Sequence, residues 1–218
     1  MRKRGKTKRG AVGTVSKGVM SKQNASRSSD QEVMRHLSRS QIFKDYERAF
    51  SEAMGLPLNI RGRDAWSPAR HGKEDHDSFA SILARFNKAR AACLRAQTDA
   101  SREPDSTTRT VTWFAGLSES AVPVYVGDHI LCFLETGEVM LKNPTKKHFA
   151  SITRQLRAWG YKADWKQLER AYFRTCVLPP DRYRAMLRLL SIFAQHLSIL
   201  SNQLVVRQIG RASCRERV

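Results

Sequence analysis

The strongest strand pattern in the chain lies between residues 110 and 140. It opens with β-branched and aromatic residues, which favour a pleated and half-buried surface. Two further apolar runs follow, at residues 121–126 and 129–134, and Gly127-Asp128 joins them. A Gly-Asp pair between two apolar runs is typical of a β-hairpin. The stretch therefore predicts two or three antiparallel strands at the centre of the domain.

The pattern before these strands predicts helices. Asp30 is a candidate cap for a helix over residues 31–37, and Ser38 or Ser40 for a helix ending at Met54, with Gly55 as its C-terminal stop. A short strand is predicted at 56–60, followed by a polar loop over 61–77. One helix is predicted from 78 to about 100, because its apolar residues recur at helical spacing: Phe79, Ile82, Leu83, Phe86, Ala89, Ala92 and Cys93.

Three helices are predicted after the strands. The first covers residues 146–159, the second is capped by Asp164, and the third covers 181–208 after Pro179-Pro180. The third is apolar over so much of its circumference that we expect two partners, the domain core and a symmetric copy of the chain. The whole pattern predicts an α+β domain with an antiparallel sheet flanked by helices.

Charge is concentrated at the N-terminus. The formal net charge is +19, and residues 1–30 carry nine Lys or Arg against one Asp. This segment lacks apolar periodicity, so we expect a disordered basic arm. The arm either contacts nucleic acid electrostatically or is a solvated tail, and the sequence leaves both interpretations open.

Other compositional signals favour a cytoplasmic protein. No uninterrupted apolar run is long enough to span a bilayer, and no apolar segment follows the basic N-terminus as in a secretory signal. The four cysteines are widely spaced, without a CxxC pair. We therefore expect reduced thiols, without a disulfide framework or a zinc site.

Motifs for catalysis are not found. The segment 116–120 ends in Ser where a nucleophile elbow needs Gly. Glu135 and Glu138 are expected on opposite faces of a strand, because they are three residues apart. Cys93 lies on an apolar helical face, which is typical of an inert core thiol. We expect no catalytic residue and no enzyme.

The polar loop before the third helix contains the one cluster that suggests a metal: His71, Glu74, Asp75, His76 and Asp77. Imidazole and carboxylate groups are good ligands, but no Cys accompanies them. An exposed loop is the favoured interpretation, so no metal and no cofactor are predicted.

Five segments resemble the PocR-type sensory domain: FKDYERAFSEAMGLPL (43–58), RAACLRAQ (90–97), TVTWFAGLSESAVPV (110–124), GDHILCFLETGEV (127–139) and LLSIFAQHLSILSNQLVV (189–206). The resemblance covers residues 31–208. It implies a PAS-like module that binds a small organic ligand, most similar to the version preceding an AraC-type DNA-binding domain. Residues 31–180 would then form the sensor, and 181–208 a helix for signalling and dimerisation.

The resemblance also implies a ligand site between the sheet and the helix that carries Cys93. Its expected members are Phe79, Cys93, Trp113, Phe114, Gly116 and Glu138. From composition alone, these aromatic residues are more often plain core. The family commonly has further cysteines where this chain has Phe79-Ala80 and Trp113, so metal or redox sensing is not expected. Glu138 stands where the family has Gln.

The last ten residues, IGRASCRERV at 209–218, show no periodicity. They resemble a translated short-read sequencing adapter, so we expect a non-native tail and a natural gene that continues beyond Gln208. DNA would be contacted through the two helix-turn-helix motifs expected there, and at most weakly through the basic arm.

Overall fold

The computed structural model describes residues 28–62, 77–100, 108–162 and 164–215. These ranges contain helices and strands in the order α1 (28–39), α2 (Gln41–Met54), β1 (Leu58–Gly62), α3 (Phe79–Ala84), α4 (Asn87–Ala100), β2 (Arg109–Thr112), β3 (Leu117–Val126), β4 (His129–Met140), α5 (Lys146–Ala158), α6 (Trp165–Arg174) and α7 (Pro180–Arg215). The α+β prediction is confirmed.

The four strands form one antiparallel sheet in the order β1-β4-β3-β2. The predicted hairpin at Gly127-Asp128 joins β3 to β4. Both strands are longer than the apolar pattern indicates, because β3 begins with Leu117 and β4 extends to Met140. The added part of β3 contains Ser118, Glu119 and Ser120, which are all buried. The sequence did not predict a strand over these three residues, because an apolar alternation pattern does not detect buried polar residues that are satisfied by hydrogen bonds.

Most helix caps follow the local sequence. Ser40 accepts a hydrogen bond from the Phe43 amide at 3.2 Å, Asp164 caps α6, and Gly55 ends α2 in the left-handed conformation at φ 66°. The predicted cap at Asp30 is wrong, because residue 30 lies within α1. Its carboxylate instead approaches His129 Nε2 at 3.2 Å, which attaches α1 to the hairpin.

The single helix predicted over 78–100 is two helices. Ser78 caps α3 as expected, but the helix ends at Ala84 and α4 begins at Asn87. At the break, the Phe86 ring packs edge-on against Tyr161 with centroids 5.2 Å apart. Apolar spacing continues across the break, so periodicity alone could not reveal it.

Two apolar cores lie around the sheet. The first packs α1, α2 and α7 against one face, with the fully buried Leu134, Leu190 and Leu197. The second gathers α3, α4, α5 and α6 around the start of β3, with Phe79, Leu117 and Tyr172. The antiparallel sheet is therefore flanked by helices, as predicted.

Helix α7 continues beyond Gln208 to Arg215, so residue 208 is not a helix boundary. The foreign origin of 209–218 stays a prediction. Of the helices in the described ranges, Pro180–Arg207 is long and apolar enough to cross a membrane by length and composition. One stripe of this helix packs on the sheet, including Met186, Leu190 and Leu197. Such a stripe is typical of a core helix.

Candidate functional site

A groove of about 1140 Å³ opens between α2, β1, α3 and α6. Local sequence shapes its walls, because Gly55 turns the chain out of α2 and Ser78 starts α3. The volume suits a small organic molecule. Its lining includes Ser51, Leu56, Pro57, Asn59, Phe79, Ala80, Leu117, Gly137, Glu138, Arg170, Arg174 and Cys176.

The floor of the groove is a bulge in β4. Glu119 pairs with Gly137 and Ser118 pairs with Val139, so Glu138 is an extra residue on β4. A Cβ on Gly137 would lie 2.9 Å from the Glu119 Cα, and the backbone φ of Gly137 is 138°. Only glycine fits both the conformation and the close approach of the two strands.

The bulge changes which face the β4 side chains occupy. Val139 returns to the α7 core and Met140 to the second core, so the alternation shifts by one residue after Gly137. Glu135 and Glu138 therefore share the face away from α7. The prediction that these carboxylates lie on opposite faces is wrong, because it assumed a regular strand.

Next to the bulge lies a buried polar cluster formed by Arg61, Gln97, Glu119 and Glu135. Gln97 Nε2 donates to Glu119 Oε2 at 2.7 Å, linking α4 to the sheet. Arg61 pairs with Glu135, and its guanidinium lies 5.5 Å from the centroid of the Phe133 ring. Both carboxylates are 5% exposed. Buried charges of this kind persist only when partners from other segments satisfy them.

Burial and neighbouring charges perturb this cluster. Desolvation, followed by the charges of Glu135 and Glu138, raises the pKa of Glu119 to about 7. Burial also raises the pKa of Glu135, while Arg61 opposes that change. Near neutral pH, the Glu119 carboxyl therefore exchanges between a hydrogen-bond donor and an acceptor-only anion.

Sequence reasoning missed this cluster. The one indication in the sequence was that Glu119 and Glu135 are charged residues with apolar or small neighbours within predicted or adjoining strands. The partners could not be identified, because Arg61 and Gln97 lie on separate segments that meet only in the folded domain.

The structure divides the six predicted ligand residues among three places. Phe79 and Glu138 line the groove. Cys93, Trp113 and Phe114 line a separate cavity of about 10 Å³, which has room for about one water molecule. Gly116, at φ 79°, lines neither space, and a Cβ there would lie 2.8 Å from His148 Cε1. Phe79 and Glu138 therefore lie apart from Cys93, Trp113 and Phe114 in these two spaces, and the ligand-binding role of all six residues stays a prediction.

The small cavity has two chemical features. The Trp113 side chain is buried, and its Nε1 has no hydrogen-bond partner among the described residues. Burial, with contributions from Glu119 and Glu138, raises the pKa of the Cys93 thiol well above its usual range. The thiol therefore stays protonated at neutral pH, which suits an unreactive core cysteine.

Within the described ranges, no group of three His, Cys, Asp or Glu residues is arranged to hold a metal ion. His71, Glu74, Asp75 and His76 of the predicted loop lie outside these ranges, as does most of the basic arm. Asp77 is described, and its carboxylate accepts a hydrogen bond from Gln167 at 3.0 Å across the groove wall.

Comparison with known proteins gives one match. The family model described as the sensory domain found in PocR matches residues 37–202. This range includes the groove, the bulge and most of α7. No curated protein and no solved structure matches the chain.

Proposed function

Because the chain belongs to the PocR sensory-domain family, we propose that it binds a small organic molecule in the groove. In this proposal it is the sensory part of a bacterial AraC-type transcription regulator. The observation that carries the proposal is the ligand-sized groove between α2, α3 and α6. It lies inside the matched range and contains two of the residues predicted to bind ligand, Phe79 and Glu138.

The lining indicates the kind of ligand. Leu56, Phe79 and Leu117 offer apolar surface, while Glu138 and Arg170 offer charges of opposite sign. Binding sites of this kind gain affinity from apolar contact and orientation from a few polar groups. A ligand with an apolar body and one or two polar groups fits this combination.

We propose binding without catalysis. Glu119 is engaged by Gln97 and Glu135 by Arg61, and the Cys93 thiol is held in its protonated form. Activated nucleophiles need a neighbouring base or a lowered pKa, and Cys93 has a raised one. The free thiols of Cys93, Cys132 and Cys176 support a cytoplasmic location.

The output of the sensor would pass through α7. Ile192, Ile199 and Val206 are 52%, 58% and 68% exposed and recur every seven residues. This spacing supports a homodimer in which two copies of α7 pack along one stripe. DNA would be bound by the helix-turn-helix region that follows such sensors in AraC-type regulators.

A thermal-shift experiment tests the groove. Small alcohols, amines, carboxylic acids and aromatic compounds are added to the wild type and to two matched variants of α2. Ser51→Trp fills the groove, whereas Ala53→Trp places the same ring on an exposed part of the same helix. We expect at least one compound to raise the melting temperature of the wild type and Ala53→Trp but not of Ser51→Trp. Equal shifts in all three proteins, or none, would contradict the proposal.

A further inference from the structure

Strand β3 has the groove on one side and α7 on the other. Leu117 lies in the groove floor, and Glu119 pairs with Gly137, which also lines the groove. Ser120 is the next residue, so its side chain points to the opposite face of the sheet. The adjacent residues Glu119 and Ser120 therefore point to opposite faces of the sheet, Glu119 to the groove side and Ser120 to the α7 side.

Three hydroxyl groups connect β2, β3 and α7. Ser120 Oγ lies 2.6 Å from Thr110 Oγ1 and 2.5 Å from Tyr183 Oη. Ser120 and Tyr183 are 1% and 4% exposed, so water does not compete for the bond between them, whereas Thr110 lies at the exposed end of the chain. A serine hydroxyl can donate once while it accepts, so Ser120 can join both neighbours in one chain. The hydrogen bonds in such a chain polarise and strengthen one another.

The hydroxyl chain fixes the first turns of α7 near the groove. Just before this helix, Leu178 donates its amide to the Met140 carbonyl at 2.9 Å, and Met140 donates to the Cys176 carbonyl at 2.9 Å. Cys176 itself lines the groove. The N-terminal end of α7 is thus held to the strands of the groove floor both by backbone bonds and by the Tyr183 hydroxyl.

The distal part of α7 is attached differently. Ser198 Oγ accepts from the Tyr125 amide at 2.9 Å, and Asn202 Oδ1 accepts from the Gly127 amide at 2.8 Å. These contacts lie at the hairpin end of β3, away from the groove. They provide a matched comparison, because they join the same helix to the same strand without lying near Glu119.

We propose that Tyr183 is the residue through which a change on the groove side of β3 reaches α7. A change at Glu119 would alter the position of the adjacent Ser120 and, through its hydroxyl, the stability of the first turns of α7. Burial raises the pKa of Tyr183, its hydrogen bonds to Ser120 and Thr110 oppose that change, and the charge of Glu119 adds a smaller raising contribution. This inference rests on the proposed sensory function and assigns its transmission step to one side chain.

Hydrogen–deuterium exchange of the full chain tests the assignment without a ligand. Glu119→Gln removes the groove-side charge, and the amides of residues 183–190 report on α7. The substitution is made in the wild type, in Tyr183→Phe and in Ser198→Ala. Relative to the buried amides of residues 130–134, which report the change in global stability, we expect exchange in this segment to change by about threefold or more in the wild type and in Ser198→Ala, but by less than about 1.5-fold in Tyr183→Phe.

An unchanged α7 in the wild-type background, or an equal change in the Tyr183→Phe background, would overturn the inference. Should Tyr183→Phe fail to fold, Ser120→Ala interrupts the same hydroxyl chain from the strand. The two proposals fail separately, because binding in the groove is tested by the thermal-shift panel and transmission by exchange in α7.

Discussion

Glu119 shows how position in the fold sets the chemistry of one residue. It is buried beside Glu135 and Glu138, and Gln97 is its hydrogen-bond donor from α4. Its raised pKa means that the folded domain binds this proton more tightly than the unfolded chain does. The resulting stability is fully present below the unfolded pKa of 4.5 and is lost as the pH rises through about 7.

Glu119→Gln is therefore expected to flatten the dependence of stability on pH. Above pH ~7 the variant should be more stable than the wild type, on the order of 2–3 kcal/mol, because the charged carboxylate is no longer buried. The amide oxygen that the substitution introduces can still accept a hydrogen bond from Gln97. Urea unfolding between about pH 5 and pH 8 measures the effect. Glu52→Gln, on the exposed side of α2, serves as control, and an unchanged slope in Glu119→Gln would contradict the account.

Glu119 also shows which properties of a single residue could not be predicted from the sequence. A charged side chain in an apolar strand can be read from the sequence, but its burial cannot, because its partners come from β4 and α4. Ser40, Asp164 and Gly55 were predictable for the opposite reason. Their roles depend on backbone groups within the same few residues.

Among the elements, α7 has two apolar sides with different partners. Met186, Leu190 and Leu197 are fully buried against the sheet, while Ile192 and Ile199 remain more than half exposed. Isolated exposed apolar residues are common, but a seven-residue repeat along one helix favours a helical partner.

We expect the chain to form a dimer that Ile192→Glu with Ile199→Glu converts to a monomer. The added carboxylates would have to be buried without partners where the two helices meet. Sedimentation velocity measures the change. Gln155→Glu adds a charge on the exposed surface of α5, away from the stripe of Ile192 and Ile199, and should leave the dimer intact. A monomeric wild type, or a double variant that still dimerises, would exclude this interface.

Elements were predictable where one pattern continued without interruption. The β3–β4 hairpin and the core stripe of α7 follow directly from apolar spacing. The bulge at Gly137-Glu138 and the break before Asn87 do not, because each depends on contacts with a distant segment. Glu119 approaches Gly137, and Tyr161 packs against Phe86.

At the scale of the whole molecule, the proposed ligand site and the proposed output helix lie on opposite faces of one sheet. The groove lies among α2, α3 and α6, and α7 covers the other face. A ligand that binds one conformation more tightly shifts the population toward it, and in the proposed function α7 carries that shift onward. The arrangement requires binding in the groove, so the position of the bound ligand is the central claim.

Hydrogen–deuterium exchange with and without the strongest stabiliser from the thermal-shift panel tests that claim most directly. We predict slower exchange at residues 55–59 and 165–176, which form facing walls of the groove. The same protection should be absent in Ser51→Trp and retained in Ala53→Trp. Protection confined to other segments, or protection that survives Ser51→Trp, would show that the ligand binds elsewhere and contradict the account.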